Sequence, residues 1–144
     1  MEESLETPLQ STDSTEKRVD SIKSRTTPEN RFQMDPQLWQ KIAGVFGVAA
    51  VALGAYGTHM FKPQNPSYRE VWQTALLYHL AHSAALLAAP LAKHPNIFGG
   101  LLTAGVLAFS GSCYTAAYLE DKKYSILAPY GGFAFIAAWA SLLF

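Results

Sequence analysis

Four stretches of this chain contain no Asp, Glu, Lys or Arg: 42–61, 71–92, 97–119 and 124–144, of 20, 22, 23 and 21 residues. An α-helix rises about 1.5 Å per residue, so about 20 apolar residues cross a hydrocarbon core ~30 Å thick. Lipid offers the backbone no hydrogen bonds, so a crossing segment must satisfy its own N–H and C=O groups as a helix. A surface helix of a soluble protein needs a polar outer face, and none of these runs has one. The pattern predicts an all-α integral membrane protein. Short connections make neighbouring helices antiparallel, giving a four-helix transmembrane bundle. A polar tail over 1–37 and a four-span transmembrane domain over 38–144 are the expected divisions.

The whole-chain charge conceals this division. Lys and Arg number 11 and so do Asp and Glu, a balance that gives no reason to expect a nucleic-acid partner. Yet residues 1–37 hold 13 of the charged residues, and the other nine lie at the start of the first run or in three short gaps. The tail is rich in Ser, Thr, Glu and Asp and has no periodic apolar pattern, which predicts disorder. It contains no apolar core of a cleavable signal peptide, and its acids oppose a mitochondrial presequence, so the first span is expected to direct insertion. The single cysteine, Cys113, supports no internal disulfide framework.

Local signals mark the helix ends. Asp35 suits an N-cap and Pro36 the first helical turn. Trp39 and Lys41 suit a membrane interface. Ser67 and Glu70 have the spacing of a capping box for the second helix, which is expected to run through Ala89 to Pro90. In the third run Gly100, Ala104, Ala108, Ser112 and Ala116 recur every four residues. They read as a ridge of small side chains for helix packing, with Leu102 and Leu107 off it. In the fourth run Pro129, Gly131 and Gly132 are expected to loosen or interrupt the helix.

Depth organises the unusual residues. Let side one be the surface that carries the tail and side two the opposite surface. His59 then lies within one turn of side two, His79 ~12 Å deep and His82 ~16 Å deep. Cys113, Tyr114, Pro129, Gly131 and Gly132 share that half, while the other half is mostly Ala, Leu, Val, Phe and Gly. Polar residues in hydrocarbon are costly and usually face a bundle interior. The expected site is a small pocket open to side two, with His79, His82, Gly131 and Gly132 inside and His59 and Glu70 near its mouth. His79 and His82 are three residues apart and project from nearly one helical face. Such a pair can fix packing by hydrogen bonds, bind a small solute or relay protons, or ligate a metal or haem.

Four short motifs carry a family resemblance. They are Gly54-Ala55-Tyr56-Gly57-Thr58-His59, then Tyr78-His79-Leu80-Ala81-His82 with Ser83 through Leu87, then Phe109-Ser110-Gly111-Ser112-Cys113-Tyr114, and last Ala128-Pro129-Tyr130-Gly131-Gly132 with Trp139 beyond. In this order, across about residues 39–144, they resemble the transmembrane protein 256 family, whose bacterial members form the domain of unknown function 423 family. The resemblance implies a small multi-pass membrane protein and supplies no activity.

Three function classes follow. The first is a non-enzymatic module that binds or passes a small solute or proton. The second is a structural or assembly subunit, docking another membrane protein or itself through small-residue ridges. The third is a haem- or metal-dependent membrane enzyme. The sequence has no Gly-rich phosphate loop, no intramembrane carboxylate pair and no nucleophile beside a base on a recognisable motif. No catalytic residue, cofactor or metal site is therefore expected, and the lipid bilayer is the one certain partner. Lys and Arg near the spans number five on side one and four on side two, which places both termini in the cytosol by the positive-inside rule.

Overall fold

The computed structural model describes residues 10–25 and 35–144. Among them every regular element is helical: α1 (Gln10–Arg25), α2 (Pro36–His59), α3 (Ser67–Leu87), α4 (Pro95–Gly105), α5 (Gly111–Leu119) and α6 (Ala128–Ser141). A π-helical segment, Val106–Ser110, joins α4 to α5, so that Pro95–Leu119 forms one 25-residue helix. Short 3-10 turns occupy Ala89–Leu91 and Lys122–Ser125. Met1–Met34 and Asp35–Phe144 are separate units.

The expectation of disorder over 1–37 is corrected for Gln10–Arg25, which is α-helical. Residues 1–9 and 26–34 lie outside the described residues. No Gly or Pro interrupts Gln10–Arg25, and Glu16, Lys17 and Arg18 are good helix formers. Lys17 Nζ pairs with Asp13 Oδ2 at 2.8 Å across one turn, a contact of about 0.3–0.5 kcal/mol when exposed. A composition too polar to build a core is still compatible with a local helix.

Asp35 caps α2 as its chemistry suggests: its carboxylate accepts the Gln37 N–H at 3.0 Å, and Pro36 occupies the first turn. The capping box at α3 is corrected. Pro66 already has helical dihedrals, so the capping position moves back to Asn65. Its Oδ1 accepts both the Ser67 N–H (3.0 Å) and the Ser67 hydroxyl (2.9 Å). Glu70 is left exposed. The last run is also corrected. Pro129 stands in the first turn of α6, where its fixed φ is suited and its missing N–H costs nothing. It starts the helix rather than loosening one.

Among the described residues two helices are long and apolar enough to cross a membrane, Pro36–His59 and Pro95–Leu119. The α3 helix carries Arg69, Glu70 and two histidines, and α6 has 14 residues, a rise of about 21 Å. The most apolar stretch of α2 is only 17% buried. Val45, Val48 and Val51 are 67%, 74% and 67% exposed on its outer face.

Aromatic rings seated on glycines bring the helices together. A Cβ on Gly99 would lie 2.5 Å from the Trp39 ring, and one on Gly105 would lie 2.5 Å from the Phe135 ring. At Gly57 it would strike the Trp72 indole, and at Gly131 the backbone of Phe109. These contacts join α2 to α4, α4 to α6, α2 to α3, and α6 to the π segment. The main core contains Trp39, Leu86, Phe98, Leu102, Val106 and Phe135.

The five small residues of the third run do not share one face. Ala104 is exposed, Gly100 has nothing within 4 Å of a notional Cβ, and Ser112 and Ala116 are buried. With 3.6 residues per turn, a strict four-residue step winds about 40° further round the helix each time. Gly100 and Ala116 therefore look in different directions, and Leu102, off the ridge, is fully buried.

Adjacent glycines on α6 test this packing. Gly131→Ala should lower thermal stability in detergent by about 1–3 kcal/mol, since the methyl has backbone in its way. Gly132, open around its Cα, should accept Ala without loss and gain up to about 1 kcal/mol of helix propensity. Equal melting temperatures would contradict the α6 contact.

Candidate functional site

The two histidines of α3 are both buried, His79 at 5% and His82 at 7% exposure, but they serve different neighbours. His82 Nδ1 lies 2.7 Å from the Tyr78 carbonyl oxygen one turn earlier. A carbonyl only accepts, so Nδ1 carries the hydrogen and donates. Nε2 is then the acceptor of the neutral ring, and the Trp139 indole N–H of α6 donates to it at 3.3 Å. The imidazole stacks on Phe135, with centroids 3.6 Å apart, and its plane is near parallel to the Tyr78 ring at 5.7 Å. Both nitrogens are used, and this geometry fixes one neutral tautomer.

His79 is satisfied on one side only. Its Nδ1 lies 3.3 Å from the Tyr114 hydroxyl of α5. Its ring meets Phe46 of α2 edge-on at 5.8 Å. Nε2 is buried without a partner. Trp39 Nε1 is likewise buried and unpartnered, but it lies at the start of α2, far along the helix from this site. Tyr114 continues into an aromatic cluster near the α2–α3 loop, with Trp72 at 4.8 Å and Phe61 stacked on Trp72 at 4.7 Å. Trp72 Nε1 donates to the mid-helix carbonyl of Leu53 at 3.1 Å. The absence of a side chain on Gly57 makes that approach possible.

Hydroxyls complete the polar seam along α3. Ser83 donates to the His79 carbonyl at 2.6 Å, and Ser110 of the π segment donates to the Ala75 carbonyl at 3.0 Å. The first of these bonds lies within α3, and the second crosses between helices, where such bonds hold membrane helices in register. A π segment is a frequent mark of a functional position.

The structure therefore brings together only part of the expected pocket. His59 and Glu70 are exposed on either side of the α2–α3 loop, and Glu70 lies nine residues, or about 13 Å, from His79 along the helix. Gly131 is filled against Phe109 and thereby supports the His82 stack, while Gly132 opens outward. His79 faces α2 and α5 while His82 faces α6, so the pair does not converge on a metal. Among the described residues no group of three or more His, Cys, Asp or Glu could hold one. Cys113 is buried as a free thiol.

Phe46, Phe135 and Glu120 were not legible as partners from sequence. Glu120 has a left-handed backbone, φ 51°. Its carboxylate accepts the N–H groups of Gln64 (2.7 Å) and Asn65 (3.2 Å), tying the α2–α3 and α5–α6 loops together. An acid directly after a helix end was the one available signal, and it named no partner.

Comparison with known proteins gives a match over residues 53–132 to the family described as "Protein of unknown function (DUF423)". The UPF0382 membrane protein YwdK of Bacillus subtilis is 32% identical over 110 residues, covering 71% of this chain and 89% of that protein. The UPF0382 membrane protein C1782.12c of Schizosaccharomyces pombe is 34% identical over 119 residues, covering 74% of this chain and 98% of that protein. The UPF0382 inner membrane protein YgdD of Escherichia coli is 32% identical over 108 residues, covering 70% and 82%. No solved structure matches.

The His82 geometry makes a paired prediction. Trp139→Phe leaves Nε2 a buried acceptor without a donor and should cost about 1–3 kcal/mol of stability. Adding His82→Phe removes the orphan and keeps a ring against Phe135, so the double variant should recover most of the loss. Additive losses in a double-mutant cycle of thermal unfolding would show that the bond is not formed.

Proposed function

The chain belongs to the DUF423 family of membrane proteins, and from that membership and its geometry we propose a four-span, non-enzymatic bundle whose working group is His79. The crossings are α2, α3, the continuous Pro95–Leu119 helix, and the segment 124–144 that contains α6. What supports a bilayer around them is the outer surface. A soluble core helix as apolar as α2 would be mostly buried, whereas α2 turns Val45, Val48 and Val51 outward. Leu77, Phe133 and Ile136 do the same on α3 and α6. On this reading both termini lie on side one, and the positive-inside rule makes that side cytosolic.

The observation that carries the functional reading is the buried, unpartnered Nε2 of His79. Leaving such a group unsatisfied costs about 1–3 kcal/mol, so a site that retains one has a use for it. A water, a proton or a small polar solute reaching Nε2 supplies the missing bond. Tyr114 at Nδ1 can donate to the ring or accept from it, so the imidazole can take either neutral tautomer. His82, locked by Tyr78 and Trp139, is the structural member of the pair. A second reading, docking of a larger membrane partner, is favoured by the open small-residue surface at Gly44, Gly47 and Gly100.

One measurement tests the four spans and a second separates the two readings. Protease protection of tags at both ends should give equal accessibility, and opposite accessibility would remove the four-span arrangement. Imidazole nitrogen spectra of histidine-labelled protein in mild detergent, assigned with His79→Gln, should show water exchange at His79 and none at His82. If folded protein shows neither ring in exchange with water, His79 is a packing residue and the docking reading replaces this one.

A further inference from the structure

Between α2 and α3 a groove of about 170 Å³ is lined by Gly54, Thr58, Arg69, Trp72, Gln73 and Leu76 among others. We propose that it binds an anionic phospholipid, with the lipid phosphate on Arg69 and the start of an acyl chain over Gly54 and Leu76. This rests on the transmembrane reading above.

The argument is one of order along the groove. On α2 the lining passes from Gly54 to Thr58 toward the side-two end of the helix, which closes at His59. On α3, which starts at that end, it passes from Leu76 through Gln73 to Arg69 in the first turns. Both walls are therefore apolar at the deep end and polar at the rim. An amphiphile lying along the membrane normal has the same order. A free phosphate ion would use only the rim.

The rim also has the matching charge. The Arg69 guanidinium makes no ion pair or hydrogen bond with any described residue, and the Gln73 side-chain amide one turn deeper on the same face is equally free. A guanidinium forks onto phosphate oxygens through two parallel N–H bonds, and the Gln73 amide adds a third donor. The Thr58 hydroxyl already donates to the Gly54 carbonyl at 2.9 Å, which leaves its oxygen to accept a headgroup hydroxyl. An unpaired cation near the membrane surface draws anionic over zwitterionic lipid, whereas the aromatic wall of Trp72 has no preference. At the deep end a Leu76 methyl lies 3.3 Å from where a Cβ on Gly54 would stand, so Leu76 packs closely on Gly54 and the two form an apolar floor.

Native mass spectrometry of the full chain in mild detergent, titrated with phosphatidylglycerol, tests this. The wild type should retain one lipid, and Arg69→Gln should bind it on the order of tenfold more weakly. Lys62→Gln, a nearby cation outside this groove, should leave binding unchanged. Equal lipid binding by Arg69→Gln and wild type overturns the proposal. So does displacement of the lipid by millimolar inorganic phosphate, which would make the site one for a free anion. A dimer that loses its second copy on Arg69→Gln would likewise assign the groove to self-association. Recovery of the protein without detergent in the soluble fraction would instead sink the transmembrane reading on which the site depends.

Discussion

Everything in this fold depends on how closely its helices approach, and that is set by rings seated on bare α-carbons. Between apolar helices in lipid there is no hydrophobic drive to associate, so contact area and interhelical hydrogen bonds hold them together. Trp39 on Gly99, Trp72 against Gly57 and Phe135 on Gly105 each replace a methyl with an aromatic face. The last of these has a further consequence. Phe135 can stack on His82 at 3.6 Å because Gly105 receives its other side and Gly131 lets α6 close on the π segment. Indole and imidazole then meet at Trp139 and His82. The polar contacts are thus dependent on the apolar ones.

The histidines divide the labour that their spacing appeared to share. Three residues apart on a helix places two side chains near one another, yet they can still lean to opposite flanks of the face. His82 leans to α6 and becomes a neutral cross-link. His79 leans to α2 and α5 and keeps one nitrogen unused. A soluble protein could bring water to such a nitrogen from any side. In a bilayer the access route must be built, and the aromatic cluster of Trp72, Phe61 and Tyr114 stands between His79 and the α2–α3 and α5–α6 loops. Glu120 fastens those loops to each other.

Sequence alone carried the helices well because charge-free runs and caps are local signals. Asp35 and Pro36 announced the start of α2, and the chemistry of Asn65 and Pro66 explains why Ser67 did not cap α3. What it could not carry was rotation about a helix axis. The small-residue ridge from Gly100 to Ala116 looked like one face only because a four-residue step was treated as a full turn, and the π segment was invisible. The same limit hid which flank each histidine faces. Pro129 was misplaced for a related reason: a proline breaks a helix interior but suits a helix start, and only the true boundary distinguishes the two. For α1, a polar composition without Gly or Pro fits disorder and a solvated helix alike.

The central claim, that ring-on-glycine seats set the helix spacing, is tested most directly at Gly105 and Phe135. Thermal unfolding in one detergent would be measured for Gly105→Ala, Phe135→Leu and the double variant. On this account Gly105→Ala is destabilising because the methyl meets the Phe135 ring. The smaller, flexible Leu makes room for it, so the double variant should be clearly more stable than the sum of the two losses predicts. Strict additivity, or a Gly105→Ala protein as stable as the parent, would contradict the account.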